Sequence, residues 1–185
     1  MEAHQVLSKK GFNVRSFGSG SMVKLPGPSI DKPNIYDFAV TYEQMYTDLI
    51  KKDKTMYTQN GILHMLDRNR RIKAKPERFH HCYDKFDVIF CCEERVYDQV
   101  VEGKAFCIFD ITKLLNRSPT DNTPVHVINI DVQDNHEEAT IGAFLIYELA
   151  LTMLQCDDLD NEIDEMLQEF EHKTERTLLH TIAFQ

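Results

Sequence analysis

Residues 124–150 constrain the fold of this chain more than any other stretch, because a strand pattern, an acidic loop and a helix pattern follow one another without interruption. The run 125–130 is rich in β-branched valine and isoleucine, which is typical of a buried strand. From His136 onward, apolar residues recur every three or four positions, which indicates a helix. A strand followed directly by a helix predicts one unit of an α/β fold.

Two carboxylates, Asp131 and Asp134, lie between the predicted strand and the predicted helix. In open α/β sheets ligands bind at this edge, so a functional acid would be well placed here. Asn135 and Glu138 have the spacing of a capping box that starts a helix. The alternative is that both aspartates cap the turn and favour the helix dipole, and the residue pattern leaves the two interpretations open.

Strand and helix patterns alternate along the chain, which predicts the α/β class with a mostly parallel sheet covered by helices on both faces. At 185 residues we expect a single domain over residues 1–185. Strands are predicted at 12–17, 86–92, 105–111 and 177–184, the last with an extended tail as the alternative. Helices are predicted at 1–10, 36–52, 62–66, 93–102, 136–150 and 157–173, and the stretch 18–34, rich in glycine and proline, as a loop.

The acidic composition excludes several classes of partner. The net charge is -9, which disfavours direct binding of nucleic acid or of an anionic membrane.

The sequence has no apolar run of transmembrane length and no signal-peptide pattern at its start, so we expect a soluble intracellular protein. The one basic run, residues 68–78, predicts a solvated face, with a site for a phosphorylated or acidic peptide as the alternative.

The spacing of the cysteines shows whether the chain contains the phosphate loop of a thiol phosphatase. In that loop a cysteine is followed six positions later by an arginine that binds phosphate. The chain has five cysteines, and none meets this condition; the residues six positions on are Val88, Tyr97, Asp98, Lys113 and Glu162. A metal site is not predicted either, because side chains around the first turn of a helix point in different directions and few of them could share one ion. That argument covers Asp131, Asp134, His136, Glu137 and Glu138. No cofactor is expected.

Long segments of the chain resemble the nuclear phosphatase family that dephosphorylates the C-terminal repeats of RNA polymerase II. The segments that carry the resemblance span almost the whole chain: MEAH, GFNVRSFG, VKLPGP, DKPN-YDF, YTQNGILHMLDRN, PERF, CEERVYDQVVE, DVQDNHEEAT and EIDE-LQEFE. The resemblance implies the fold of low-molecular-weight tyrosine phosphatases and a phosphocysteine intermediate. It also implies phosphoserine before a cis proline as substrate and a role in transcription and mRNA 3′-end processing. The implied location is the nucleus, with the cytoplasm as a further location.

The resemblance further implies roles for particular residues and partners. Asp134, in the QDN triplet, matches the general acid of the family, and Lys24, Leu25, Pro26 and Met65 match its substrate groove. Ordinary helix core is the alternative for Met65. The implied partners are the phosphorylated polymerase repeats and a scaffold protein of 3′-end processing.

The chain departs from the family pattern in two places. In the family, MEAH directly follows a strand and a Cys-x5-Arg-Ser loop, so with Met1 at that junction we expect the first strand and the phosphate loop to be missing here. The segment Gly103 to Thr123 is also longer than its family counterpart and differs from it. The first alternative to an active phosphatase is a non-catalytic relative or truncated isoform that only binds a partner or a phosphopeptide. A metal-dependent phosphoryl hydrolase is the second alternative.

Overall fold

A computed structural model describes residues 1–106 and 123–184 of the chain. These residues form two compact units. The first contains Met1, Ala3–Gln5 and Val14–Cys82, and the second contains Glu2, Val6–Asn13 and the described part of Tyr83–Gln185. The expectation of a single domain over residues 1–185 stays a prediction, and each unit is described by itself.

The chain begins with helix α1, Glu2–Lys9, as its apolar spacing predicts. Gly11 ends this helix with a φ of 91°, a left-handed conformation that glycine adopts without strain. The Phe12 amide donates to the Leu7 carbonyl at 3.1 Å and so closes the last turn.

The first unit contains a small hairpin and two helices around one apolar cluster. Strands β1, Val23–Leu25, and β2, Asn34–Tyr36, pair antiparallel. Helix α2, Tyr42–Gln59, begins with a capping box between Thr41 and Gln44 and is followed by α3, Ile62–Ile72. A short 3-10 turn spans Phe79–His81. The buried members of the cluster are Leu25, Tyr42, Met45, Leu49, Tyr57, Ile62, Leu63 and Leu66.

Helix α2 is interrupted at Asp53, whose φ of -163° and ψ of 92° are not helical. The Asp53 carboxylate accepts the Met56 amide at 2.9 Å, which is the geometry of an N-cap. The first piece of α2 therefore ends at Lys52, as predicted. A second helical piece follows Asp53, which is its N-cap.

The second unit is built on a mixed sheet of strands β3, Val88–Cys91, β4, Pro124–Ile130, and β5, Leu178–Phe184, in the order β3-β4-β5. Strand β3 pairs parallel with β4, and β5 pairs antiparallel with β4. The connecting helices are α4, Glu94–Phe106, α5, His136–Gln155, and α6, Leu159–Thr174. Strand β4 is the centre of the core, because Val125, Val127, Ile128 and Ile130 have no exposed surface. The α/β class is confirmed, whereas the prediction of a mostly parallel sheet is wrong for the described strands, because β5 returns antiparallel to β4.

Three predictions of local structure were wrong. Residues 12–17 form no strand, because they find no ladder partner among the described residues; the nearest bridge joins Gly18 to Arg78. The predicted loop 18–34 contains β1 and the start of β2. Tyr36, predicted to begin a helix, is the last residue of β2 instead.

The predicted strand at 105–111 is contradicted where it can be compared, because Ala105 and Phe106 end helix α4. Its remaining residues lie outside the described part of the chain, as does most of the divergent segment Gly103 to Thr123. The strand predicted at 177–184 is confirmed as β5. In residues 1–106 and 123–184, no helix is both long and apolar enough to cross a membrane.

Candidate functional site

Lys24, Leu25 and Pro26, predicted to belong to a substrate groove, line one open groove of about 370 Å³. Alternation along β1 exposes Lys24 and buries Leu25 in the apolar cluster of the first unit. The other lining residues belong to the loop that joins β1 to β2: Gly27, Ser29, Ile30 and Pro33. The hairpin therefore presents a cation, a proline ring and an edge of loop backbone on a wall anchored by Leu25.

The joining loop returns on itself so closely that Gly27 has no room for a side chain. A Cβ atom on Gly27 would clash with the Lys32 carbonyl oxygen. The Lys32 amide donates to the Ser29 carbonyl at 3.0 Å and closes a turn at the tip. The loop 26–33 therefore has a defined path although it contains no regular structure.

A buried asparagine, which the sequence analysis missed, holds the base of this loop. Asn34 is 7% exposed, and its amide nitrogen donates to the Pro26 carbonyl at 3.0 Å and to the Tyr57 hydroxyl at 2.8 Å. Its side-chain oxygen accepts the Lys52 ammonium at 3.0 Å. Asn34 carries no periodic signal, and the only hint was its position directly after a proline at the end of the loop.

An ion pair on α2 continues this network. Lys52 lies 2.7 Å from Asp48, and the Tyr36 hydroxyl donates to the same carboxylate at 2.6 Å. Hydrogen bonds from Lys52 and Tyr36 lower the pKa of Asp48. Burial, followed by the bond to Asp48, raises the pKa of Tyr36. The hairpin and α2 are thus joined by polar side chains as well as by the apolar cluster.

Met65, the fourth predicted groove residue, lies on α3 and is half-buried against the same apolar cluster that contains Leu25. It is not among the residues that line the 370 Å³ groove. The structure therefore places Met65 near the hairpin through a shared core, which keeps both the groove role and the core role open.

Asp134 lies in the loop between β4 and α5, in the second unit. Its side chain is exposed, and no described residue forms a hydrogen bond or ion pair with it. The backbone around it is well fixed: the Val132 amide donates to the Cys92 carbonyl at 3.1 Å, and the Asn135 amide to the Gln133 carbonyl at 2.8 Å. The loop therefore presents a carboxylate that is open to solvent on an ordered turn.

Gly142 of helix α5 sets the position of this loop from the other side. A Cβ atom on Gly142 would lie 2.5 Å from a methyl carbon of Val132, two residues before Asp134. Because glycine is a poor helix former, its place inside α5 reflects this close approach. Val132 is thus held by its backbone against Cys92 and by its side chain against Gly142.

Two other acidic residues near the loop, Asp131 and Glu138, have structural partners. Asp131 accepts the amide of Glu94, the first residue of α4, at 3.1 Å and the Asn129 side chain at 2.9 Å. Asn135 caps α5 by accepting the Glu138 amide at 2.8 Å. The capping box is only half formed, because the Glu138 carboxylate pairs with Arg176 at 2.9 and 3.1 Å, which lowers the pKa of Glu138.

The described thiols and carboxylates do not form an alternative reactive centre. Burial raises the pKa of the Cys91 thiol to about 12, so it is not a thiolate at neutral pH. A hydrogen bond to Glu162 raises the pKa of Cys156. Cys91 is buried, whereas Cys92 is exposed. Among the residues that the structure describes, no cluster of three or more metal-binding side chains occurs.

The basic run 68–78 is largely neutralised within the first unit. Arg70 pairs with Asp67 and Glu43, and Arg71 with Asp67. Lys73 pairs with Glu77 at 3.1 Å, and Arg78 donates to the Gly20 carbonyl. This pattern favours the predicted solvated face over a binding site for a phosphorylated peptide.

The structure is that of an α/β protein with two candidate sites, the hairpin groove and the acidic loop. The acidic loop follows β4, which pairs parallel with β3. The family model described as "Ssu72-like protein" matches residues 1–185. The chain belongs to this family.

Individual relatives agree with this assignment. The RNA polymerase II C-terminal domain phosphatase SSU72 of Xenopus laevis is 65% identical over 184 residues, which cover 100% of this chain and 90% of the relative. The human protein of the same name is 62% identical with the same coverage. A crystal structure of the Drosophila melanogaster serine phosphatase of the RNA polymerase II C-terminal domain superposes with a TM-score of 0.91 at 53% identity, covering 100% of this chain and 92% of that one.

A further solved structure contains partners. It is described as D. melanogaster Ssu72 and Symplekin bound to a cis peptidomimetic of a phosphoserine peptide from the C-terminal domain. It superposes with a TM-score of 0.89 at 52% identity and covers 100% of this chain and 90% of that one.

Proposed function

We propose that this chain acts in a protein phosphatase that removes phosphate from serine in the C-terminal repeats of RNA polymerase II. The observation that carries the proposal is the identity of 62 to 65% over 184 residues with phosphatases named for that substrate. The phosphoserine peptidomimetic in a related structure supports phosphoserine as the substrate group.

In this proposal Asp134 is the general acid. A cysteine thiolate attacks phosphorus, the serine oxygen leaves, and Asp134 gives its proton to that oxygen, so a phosphocysteine and a free serine form. The Asp134 carboxylate then takes a proton from water as the water attacks the phosphocysteine and releases phosphate. An exposed carboxylate without a described partner can exchange protons with substrate and water in this way.

Lys24, Leu25, Pro26 and Met65 are proposed to bind the peptide on either side of the phosphoserine. Leu25 and Pro26 supply an apolar wall, and Lys24 places a cation next to it. The nucleophilic cysteine and the phosphate loop belong to the segment that precedes MEAH in the family, since no cysteine of the 185 residues has an arginine six positions later.

The proposed cellular setting follows from the same relatives. We place the protein in the nucleus, where it would act during transcription and mRNA 3′-end processing. Symplekin, which accompanies Ssu72 in the related Drosophila structure, is the proposed scaffold partner. Direct contact with nucleic acid is not part of the proposal, in keeping with the net charge of -9.

A second candidate function is binding of a partner or phosphopeptide without catalysis. It is favoured by the burial of Cys91, which raises the pKa of this thiol to about 12 and keeps it protonated at neutral pH. In this candidate function the hairpin groove still binds a peptide, and Asp134 does not act as a general acid.

One experiment separates the two candidates. The chain is purified alone and with the family segment of the Xenopus relative joined before Met1, and phosphate release is measured from a phosphoserine repeat peptide and from an aryl phosphate. The phosphatase proposal expects turnover by the joined protein, its loss when the cysteine of the added loop is changed to serine, and none by the chain alone. A joined protein that folds and binds the peptide but releases no phosphate would instead establish the second candidate.

A further inference from the structure

We propose that Asn34 is a positioning residue for the peptide groove, and that Lys52 fixes the orientation in which its side chain does this work. The inference rests on the proposed function, because it concerns the wall formed by Lys24, Leu25 and Pro26. Neither Asn34 nor Lys52 lines the groove, so each acts on the peptide through Pro26.

The hydrogen bonds of Asn34 leave its amide only one orientation. Lysine can donate but cannot accept, so the atom of Asn34 that lies 3.0 Å from the Lys52 ammonium must be the oxygen. The nitrogen then faces the Pro26 carbonyl at 3.0 Å and the Tyr57 hydroxyl at 2.8 Å. A flipped amide would bring a donor against Lys52 and an acceptor against the Pro26 carbonyl.

The bond from Asn34 reaches the carbonyl of Pro26, the first residue after the β1–β2 ladder. Proline has no N–H, so its carbonyl is the only main-chain hydrogen-bonding group that Pro26 offers. Strand β1 ends one residue earlier, at Leu25, which pairs with Asn34 in the β ladder. The Asn34 side chain therefore extends the pairing of the hairpin by one residue and fixes the direction in which the Pro26 ring leaves the strand.

Burial makes this arrangement stiff. Asn34 is 7% exposed and Tyr57 is 2% exposed, so water has little access to the shared hydrogen bonds. Leaving a buried polar group unpaired is more costly than making the bond is favourable, which disfavours conformations in which Pro26 swings away. Gly27 adds a steric constraint on the other side of Pro26, because the Lys32 carbonyl oxygen occupies the place where its Cβ would be.

Lys52 is in turn held by its own partners. Its ammonium lies 2.7 Å from Asp48 and 5.5 Å from the centroid of the Tyr36 ring. Tyr36 is in β2, two residues after Asn34, so the lysine contacts both ends of that strand. Loss of the Lys52 charge would leave the Asn34 oxygen without its cationic donor and remove one of the three contacts that orient the amide.

A loosened wall should impair peptide positioning and leave phosphoryl transfer itself unchanged. Contacts remote from the reacting atoms act on the binding and orientation of a peptide, and a small aryl phosphate does not reach them. We therefore expect a rise of about tenfold in KM for a phosphoserine peptide, which corresponds to the loss of one ordinary hydrogen-bonded contact. The kcat/KM for an aryl phosphate should stay within about twofold.

The test compares three variants of the protein joined to the family segment. Asn34→Asp replaces the nitrogen that faces Pro26 with an oxygen and keeps a partner for Lys52. Lys52→Met removes the charge and keeps the length of the side chain. Lys54→Met is the matched control, because the Lys54 side chain is exposed and forms no hydrogen bond or ion pair with a described residue.

Two measurements are made on each variant: amide hydrogen exchange at Leu25 and Lys32, and steady-state kinetics with peptide and aryl phosphate. We expect faster exchange and a raised peptide KM for Asn34→Asp and Lys52→Met, and neither change for Lys54→Met. Unchanged exchange in both variants overturns the inference, as does faster exchange with an unchanged peptide KM or an equal loss on the aryl phosphate.

Failure of the proposed function gives a different result. In that case the unsubstituted joined protein releases no phosphate from either substrate, and the kinetic comparison is replaced by the dissociation constant of the same peptide measured by fluorescence anisotropy. Weaker binding by Asn34→Asp and Lys52→Met, with faster exchange, still supports the positioning role. Equal binding by all variants overturns it.

Discussion

The groove hairpin, residues 23–36, and the acidic loop, residues 131–135, present their candidate residues in different ways. In the hairpin, a buried Asn34 with three hydrogen bonds fixes the backbone at Pro26. In the loop, the Asp134 carboxylate is exposed and has no described partner. A wall that recognises a peptide must keep its shape, whereas an acid that exchanges protons with substrate and water must stay accessible.

The difference predicts how each region responds to substitution. If the hairpin binds the peptide as proposed, changes in it should alter stability and peptide recognition together, because the contacts of Asn34 hold Pro26 in place. Changes at Asp134 should alter activity with little effect on stability. Substitutions in both regions test this contrast.

The largest effect is expected for Asp134→Asn in the protein joined to the family segment. Turnover of a phosphoserine peptide should fall by about 10² to 10⁴, the usual contribution of a positioned general acid. The melting temperature should not change, because the carboxylate has no described contact. An activated aryl ester, whose leaving group needs no proton, should lose much less activity.

Asp131→Ala is the matched control for that result. Asp131 caps α4 and binds Asn129, so its loss should cost about 1 kcal/mol of stability and change turnover little. Equal losses of Asp134→Asn on the peptide and the activated ester would rule out the acid role. The reverse pattern, with stability lost at Asp134 and activity lost at Asp131, would move the acid role to Asp131.

Gly142→Ala should disturb the acidic loop through packing. The new methyl group would meet Val132 at 2.5 Å, and overpacking of this kind costs about 1 to 3 kcal/mol. Activity should fall with stability, because Val132 lies two residues before Asp134. The double variant Gly142→Ala with Val132→Ala should recover part of the loss in a urea denaturation measurement. A double variant that is less stable than either single one would contradict the proposed contact.

Pro26→Ala and Met65→Ala should separate the two explanations for Met65. Pro26→Ala is expected to raise the peptide KM about tenfold and leave aryl phosphate turnover unchanged, because its contacts are remote from phosphorus. Met65→Ala should do the same if Met65 contacts the peptide. A lower melting temperature with unchanged peptide selectivity would assign Met65 to the helix core, against which it is half-buried.

The smallest effect concerns the pH dependence of the sheet in the second unit. His126, 6% exposed on β4, lies 3.1 Å from His180 on β5, and their rings stack. Two carboxylates of α6 face the pair, Asp160 at 3.3 Å from His126 and Asp164 at 3.8 Å from His180. Burial and the neighbouring His126 lower the pKa of His180 below its ordinary value of 6.5.

A lowered pKa means that the unfolded chain binds a proton more readily than the folded one. The free energy of unfolding should therefore decrease as the pH falls below about 6.5, and this loss should shrink in His180→Gln. The test measures the urea denaturation midpoint at about pH 7.5 and at about pH 5.5, on either side of the ordinary histidine pKa. His64→Gln is the control, because His64 is exposed. An identical pH response in both variants would show that the histidine pair does not contribute.

The sequence predicted those parts of the fold whose signal is local and repeated. Helices α1, α3 and α5 and strand β4 follow from the spacing of their apolar residues, and the position of Asp134 follows from the change of period at His136. The hairpin was missed because strands of three residues are too short to show alternation. Residues 12–17 have a strand composition, but composition cannot supply the hydrogen-bonding partner that makes a strand.

The polar network around Asn34 could not have been predicted from any pattern. Asn34, Asp48, Lys52 and Tyr57 meet because the hairpin packs on α2, and the sequence places these residues among ordinary loop and helix positions. The sequence also could not show that Asp131 has hydrogen-bonding partners whereas Asp134 has none among the described residues. Asp131 is bound by a helix that begins 37 residues earlier in the chain, and only the fold brings the two together.

The interruption of α2 at Asp53 bears on how the sequence can vary in length. In a continuous helix one inserted residue would rotate all later side chains by about 100°, since a turn takes about 3.6 residues. Here Lys52 ends the piece that supports Asn34, and Asp53 starts a new piece that carries the buried Tyr57. An insertion between the two pieces would be absorbed by the non-helical linkage, whereas the same insertion within either piece would separate Asp48 from Lys52 or turn Tyr57 away from the core.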